Sequence, residues 1–520
     1  MNSNRSLGAE LLDAARARGD KPVIVEYSGR DRHAACSGRE FVALVREVGQ
    51  NLNRCRVGAG MRAALCLPNS TLYAAALTAL MEREIVVAPL KLEYRATELA
   101  AVFRDLQPHL VISDPAFLSI LAPHLRRLHP SSVVLVSRGL GFETLSGLPG
   151  GETASGGIGS DTGIGATARV SDDASGAAPE QIAPIGPYPD AELSLPDDVV
   201  SINFTYRGYG YPLGAMLTAQ QYRQGAAGVA EGIEIERCRN VGLMLPMSHI
   251  YGLVTGVVLP LLYSVPAIVV ATAHPRRAIE TFAAERISFL PVVPELGEAL
   301  YRFAPEDGSG IGVDLLALGG SALSSEQFER FRERVAAEVI NGYGLTEFTP
   351  VAMHARSEAR AGTIGKPLRD LETQCAGQDG ELLLRGDGVA LGYYRRSRET
   401  GEAFDKDGWF HTGDICRYNG NELVFVREKK ATCKANGLMV DLVELRAVIK
   451  TCEWVEEADL RYGEDGVTAT VEVGDRLDRS DNGGERSDEA ARELRRGLVR
   501  FLKPRLAGYK IPKVINVKSR

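Results

Sequence analysis

At 520 residues, 45% of them hydrophobic, the chain can bury a large core and is long enough for two or more domains. A net charge of −7 without long basic runs argues against nucleic acid as the main partner. Eight scattered cysteines (36, 55, 66, 238, 375, 416, 433 and 452) show no Cys-x-x-Cys and no His/Cys cluster at zinc spacing, which points to neither a disulfide framework nor a structural metal.

In chain order, Met1–Asp20 carries charges throughout and lacks an apolar h-region, so no secretory signal is expected. A helix is predicted over Leu7–Arg18, then strand Val23–Tyr27, helix Glu40–Arg54 and strand Arg62–Leu67. Pro68-Asn69-Ser70 caps a helix running to Glu82, Ile85–Pro89 is a further strand, and Thr97 caps the next helix. Helix and strand in alternation predict an α/β fold with a largely parallel sheet. From 139 to 187 the composition shifts to Gly, Ser, Ala and Asp, too poor in apolar side chains to offset its ordering entropy, and a disordered surface insertion is expected.

The centre of the sequence is Asp197–Gln221. A β-favouring run, Val199–Phe204, enters a turn with Gly208, Gly210, Pro212 and Gly214 and leaves it for a helix-capable segment. Strand, glycine loop and helix in that order expose backbone N–H groups to a phosphate. The pattern is neither a Walker A loop nor Gly-x-Gly-x-x-Gly. Ile250–Val270 is uncharged for 21 residues, but Pro260 and Pro266 interrupt it, so a buried helix followed by a core strand is expected rather than a membrane span.

Three predicted strands then end in small or polar residues: Val241–Leu245 before Pro246 to Gly252, Leu315–Leu318 before Gly319, Gly320 and Ser321, and Glu338–Ile340 before Asn341 to Glu347. In open α/β sheets such carboxyl ends are where ligands bind. Beyond Lys366 the texture turns to β, through Gly380–Gly386, Gly392–Tyr394, Asp407–Asp414 and a strand around Leu423–Val426. The last hundred residues read as α+β, with strands Glu453–Leu460 and Gly466–Val473, an expanded loop at 474–487, and a helix over Asp488–Leu502 capped by Ser487.

Together, in this order and spacing, these motifs resemble those of the adenylate-forming superfamily of acyl-CoA synthetases, nonribosomal adenylation domains and luciferases. Thr205–Gly214 is similar to its Thr-Ser-Gly-Thr-Thr-Gly-x-Pro-Lys-Gly loop and Leu245–Leu253 to its Leu-Pro-x-x-His motif. Gly319–Leu323 resembles Gly-Gly-Ala, Tyr343–Glu347 Tyr-Gly-x-Thr-Glu, and Trp409–Asp414 Trp-x-x-Thr-Gly-Asp, while Arg427 begins the hinge motif. The resemblance implies a large N-terminal domain, 1–426, of parallel-type sheets with helices and a β-rich subdomain, and a small mobile α+β domain, 427–520. It also implies that a carboxylic acid and ATP give acyl-AMP, whose acyl group passes to the thiol of CoA or of a phosphopantetheine carrier protein.

Site roles follow from the same resemblance. Asp414 would accept from the ribose hydroxyls, Tyr343 would stack on adenine, and Gly319, Gly320, Ser321 and Gly344 would let the backbone approach the nucleotide. Thr205 and Thr346 would donate to phosphate, Glu347 would hold Mg²⁺, and His249 would lie near the acyl group. Arg427 is expected at the ribose and hinge, Lys429 at the hinge itself, and Gly437 at the site during thiol attack.

The sequence also departs from the family. Tyr206, Arg207 and Tyr209 replace small residues of the phosphate loop, and Leu213 stands where the family has lysine. Ala219 replaces a common histidine, Val426 a glycine, and one extra residue lies between Arg427 and Gly437. The family's C-terminal lysine, in Pro-x-Thr-x-x-Gly-Lys, has no counterpart up to Arg520. The leading expectation is a cytoplasmic acid–thiol ligase that takes acyl-AMP to a thioester, with adenylation weak or supplied by a separate enzyme. The alternatives are a complete acyl-CoA or acyl-carrier-protein synthetase, in which Arg207 replaces the lost charge, and a nucleotide-binding pseudoenzyme.

Overall fold

The computed structural model describes residues 6–519 except 29–30, 126–131, 139–140, 145–185, 188, 191–194, 273, 321–322, 430, 436, 464–465 and 474–484. Ser321 and most of the two polar stretches therefore lie outside the described residues. The fold is α/β. A nine-stranded sheet is parallel through Pro22–Ser28, Ala267–Ala271, Val241–Leu243, Ile287–Val292, Val313–Leu318 and Ala336–Tyr343, with antiparallel strands at both edges. A seven-stranded sheet is parallel through Val133–Arg138, Leu110–Ser113, Arg62–Cys66, Val86–Pro89 and Val199–Thr205.

The largest core lies between these sheets. Helix Thr71–Glu82 shows why the sequence folds this way. Ser70 Oγ accepts from Tyr73 N (3.1 Å) as the predicted cap, and every residue from Thr71 to Met81 is buried, as befits a helix apolar on all sides. The uncharged stretch from Ile250 is helical through Leu262 and continues into strand Ala267–Ala271, the buried helix and core strand expected. Among the described residues no helix is long and apolar enough to cross a membrane.

Four local expectations change. Leu213–Thr218 is a strand paired antiparallel with Val199–Thr205, so the glycine loop is the tip of a β-hairpin. The helix follows at Ala219–Ile233, capped by Thr218. Arg95, not Thr97, is the N-cap residue of Ala96–Leu106. Gly141–Thr144, inside the expected insertion, forms an edge strand paired antiparallel with Val133–Arg138. Helix Glu485–Leu502 starts before Ser487, which lies within its first turn.

A four-stranded antiparallel sheet, Glu372–Ala376, Glu381–Arg385, Phe410–Asn419 and Glu422–Glu428, follows. From Thr432 onward the chain builds a separate core around Leu445, Ala469, Val471 and Leu498, with hairpin Thr432–Ala435/Leu438–Asp441 and the sheet Val455–Gly463, Gly466–Val473 and Val514–Ser519. This C-terminal lobe meets the glycine loop and helix Ala96–Leu106, whose Thr97 N–H donates to Arg505 O (3.0 Å).

Candidate active site

The carboxyl ends of four parallel strands converge on one cleft. Thr205 closes the first, Val293 follows the second, Gly319 and Gly320 the third, and Tyr343 and Gly344 the fourth. The cleft, with about 1090 Å³ of empty space counting its open mouth, is lined by these residues except Val293, together with Lys91, His249, Thr346, Glu347, Asp414, Lys434 and Gly437. Its inner wall is largely apolar: Val229, Tyr251, Phe289, Ile340 and Met353. An apolar recess with a few polar groups at its mouth is the usual form of a small-molecule site.

Gly320 has φ +87°, and a Cβ there would come within 3.1 Å of Val293 Cγ1, so only glycine keeps this floor open. Gly437, φ +72°, packs on the same valine: a Cβ would reach 2.3 Å from Val293 Cγ1. The turn of the C-terminal lobe thus rests on the cleft floor. Asp414 is buried and accepts from Tyr343 Oη (2.5 Å), while its Oδ1 has no hydrogen-bond partner among the described residues. Burial and Asp414 push the Tyr343 phenol well above its ordinary pKa, so it stays a donor.

His249 Nδ1 accepts from Tyr251 N (3.4 Å) at the start of helix Ile250–Leu253. Burial, then Lys91 and Lys434, lower its pKa to about 3, so the imidazole is neutral. It can shape and hydrogen-bond a substrate but carries no charge to it.

The glycine loop is bound by the protein itself. Gly208 N and Gly210 N both donate to Asp441 Oδ2, at 2.9 and 3.1 Å. Asp441 Oδ1 meanwhile accepts from Val443 N (2.9 Å) and Glu444 N (3.2 Å), capping helix Leu442–Ile449. One carboxylate therefore takes four backbone donors from two lobes, in the place where the family pattern puts phosphate. Tyr206 is buried, donating to Glu444 Oε1 (2.7 Å) and lying under Lys510 Nζ, 3.9 Å from its ring centroid. Leu213, the lysine position, is fully buried in the core.

Arg207 turns into the cleft wall. It donates to Glu347 Oε1 (3.1 Å) and His411 O (2.6 Å), over the ring of Phe410 at 4.7 Å. Tyr393 Oη donates to the same Glu347 oxygen (2.5 Å). Glu347 was the expected Mg²⁺ ligand. A dication there would face a guanidinium already at contact distance, so the residue as placed does not fit one. The nucleoside part fits better: Asp414 has a spare acceptor, Tyr343 an aromatic face on the cleft, and Gly319 and Gly320 a close backbone approach.

Of the other expected residues, Thr205, Gly344 and Thr346 line the cleft, whereas Arg427 does not. It is exposed and donates to Glu428 O (3.4 Å). Arg427 pairs with Ile415, the neighbour of Asp414, and alternation along a strand puts it on the opposite face. Lys429 follows the last residue of strand Glu422–Glu428 and its Nζ donates to Glu381 Oε2 (3.2 Å). Sequence reading missed Lys91, Lys434, Asp441, Glu444 and Lys510. The last two had a signal, an acidic residue opening a helix and a Tyr-Lys-Ile-Pro motif, but their pairing spans 66 residues.

The family model described as AMP-binding enzyme matches residues 11–394. The chain belongs to that family. It is 27% identical over 357 residues to a feruloyl-CoA synthase of Amycolatopsis sp, covering 64% of this chain and 68% of the relative. To 4-coumarate–CoA ligase 1 of Oryza sativa subsp. japonica it is 26% identical over 300 residues, 52% of each chain. In that match it spans about half the length of the relative. Among solved structures, a malonyl-CoA ligase ternary product complex with methylmalonyl-CoA and AMP bound superposes with TM-score 0.73 at 21% identity, covering 98% of each chain.

Proposed function

We propose that this AMP-binding family member carries out the thioester half-reaction: it binds an acyl-adenylate in the cleft and passes the acyl group to a thiol, that of CoA or of a phosphopantetheine carrier. The observation carrying this reading is the glycine loop, whose amides are taken by Asp441 while Arg207 is taken by Glu347. A polyphosphate would have to displace a carboxylate and break a buried ion pair to bind there. AMP lacks those phosphates and meets no such competition. Relatives named as CoA ligases, and the AMP and methylmalonyl-CoA in the product complex, support the class of reaction.

In the step itself the thiol sulfur bonds to the acyl carbon, the acyl–oxygen bond to phosphate breaks, and AMP leaves with both bonding electrons as the thiol proton is released. Asp414 and Tyr343 hold the nucleoside, the apolar wall seats the acyl chain, and the Gly437 turn, packed on Val293 at the cleft floor, lies beside the incoming pantetheine. We further infer that the chain before Lys429 and the small domain after it turn against one another about that residue.

The test supplies either ATP, Mg²⁺, CoA and a panel of acids, or a preformed acyl-AMP with CoA. Thioester from acyl-AMP, with pyrophosphate release from ATP slower by at least about 10²-fold, the cost of losing one preorganised donor to developing charge, is expected. Pyrophosphate release at about 10 s⁻¹, the ordinary enzyme median, would replace this reading with a complete synthetase.

A further inference from the structure

The cleft holds more positive charge than the chain neutralises. Of its cations, Arg207 is matched by Glu347, and Lys510 just behind the wall is matched by Glu98 (3.0 Å) and Glu444 (2.5 Å). Lys91 is different. It follows strand Val86–Pro89, is only 6% exposed, lines the cleft, and has no hydrogen-bond or ion-pair partner among the described residues; its contact is the Tyr94 ring, 5.7 Å from Nζ to centroid. Lys434, from the C-terminal lobe, lines the same cleft, and both lysines act on His249.

An ammonium buried without an anion is costly, and a protein retains one where a ligand completes it. Of the two carboxylates on the cleft, Glu347 is paired with Arg207, and Asp414, which accepts from Tyr343, makes no ion pair with Lys91 among the described residues. Burial and Lys510 lower the Lys91 pKa to about 8 against the opposing pull of Glu93 and Glu98, so the group is mostly charged at neutral pH and gains from any anion placed beside it.

We propose that Lys91 is a catalytic residue whose ammonium binds the phosphate of the acyl-adenylate and stabilises the AMP that departs as the thiol attacks. The proposal rests on the adenylate reading above. It gives Lys91 a task at the point of largest charge change, because the phosphate goes from one negative charge in the mixed anhydride to two in free AMP. Electrostatic stabilisation of such developing charge in a water-poor site is the largest single contribution in many enzymes.

Lys91→Met removes the charge and keeps most of the stem; Lys91→Arg keeps the charge. Calorimetry with AMP and with adenosine separates phosphate from nucleoside. In Lys91→Met, AMP should bind about 10- to 100-fold more weakly while adenosine is unchanged, the range for a hydrogen bond to a charged group. Lys91→Arg should recover most of the loss. The melting temperature of Lys91→Met should stay level or rise, since an uncompensated charge is gone. An unchanged AMP-to-adenosine ratio overturns the proposal, as does a parallel loss of adenosine affinity and melting temperature. Loss of benzoate binding with AMP binding intact would assign Lys91 to the acid's carboxylate and overturn it too. A wild-type chain that binds adenosine and AMP equally sinks this proposal alone, whereas one that binds neither sinks the adenylate reading with it.

Discussion

Asp414 has one carboxylate oxygen held by the Tyr343 hydroxyl and the other without a partner among the described residues, which is the arrangement a ribose diol needs. Replacing Asp414 by alanine should therefore weaken AMP and adenosine alike, each by about 1.5 to 3 kcal/mol, in contrast to the phosphate-selective loss expected at Lys91. Titration calorimetry with both ligands decides it: full retention of adenosine affinity would remove Asp414 from the ribose. At this scale the sequence was most legible where a local motif fixes both chemistry and direction. Asp414, Tyr343, Gly320 and Gly437 all reach the cleft. Arg427 does not, because its face depends on the strand register, which a motif match leaves open. Lys91 was illegible for another reason: only its burial without a partner makes it unusual, and burial is a property of the fold.

At the scale of elements, the glycine-loop hairpin and the start of helix Leu442–Ile449 form one unit joined by Asp441. The hairpin itself escaped sequence reading because Leu213–Thr218 alternates too weakly to announce a strand; its pairing with Val199–Thr205 decides it. The family resemblance implied a small C-terminal domain but nothing of its docking, which depends on contacts between residues more than two hundred positions apart. Changing Asp441 to asparagine tests the unit. Asparagine caps a helix as well as aspartate, so Val443 N and Glu444 N keep an acceptor. The amide group left facing Gly208 and Gly210 cannot accept from them, and the loop amides become free for an external anion. Inorganic pyrophosphate should bind this variant and not the wild type, and thioester formation should fall as the lobe loosens. If pyrophosphate binds both chains equally, Asp441 does not close the loop.

For the whole molecule, the contact between lobes turns on Lys510, which reaches Glu98 of helix Ala96–Leu106 and Glu444 of the C-terminal lobe with no exposed surface of its own. Two carboxylates share one ammonium. Burial, against the opposing pull of Lys510 and with a further push from Glu98, raises Glu444 to about 7. The unfolded chain releases this proton near the ordinary glutamate value of about 4.3. Between that pH and about 7 the folded state holds a proton that the unfolded state has lost, so this group's contribution to stability falls as pH rises through the window. His249 and His354, lowered by burial to about 3 and about 4, act in the opposite sense: the unfolded chain takes up their protons below the ordinary histidine value, so their contribution falls as pH drops. A melting curve of the wild type alone mixes the two. Glu444→Gln separates them, since glutamine still accepts from Tyr206 and no longer titrates. Denaturant melts of both chains from pH 4 to 8 should show the wild type losing stability relative to Glu444→Gln as pH climbs through the window, with the difference level on either side. A difference that is flat throughout would mean that Glu444 is ionised in the fold across that range, and that the lobes are held together by a fully charged cluster.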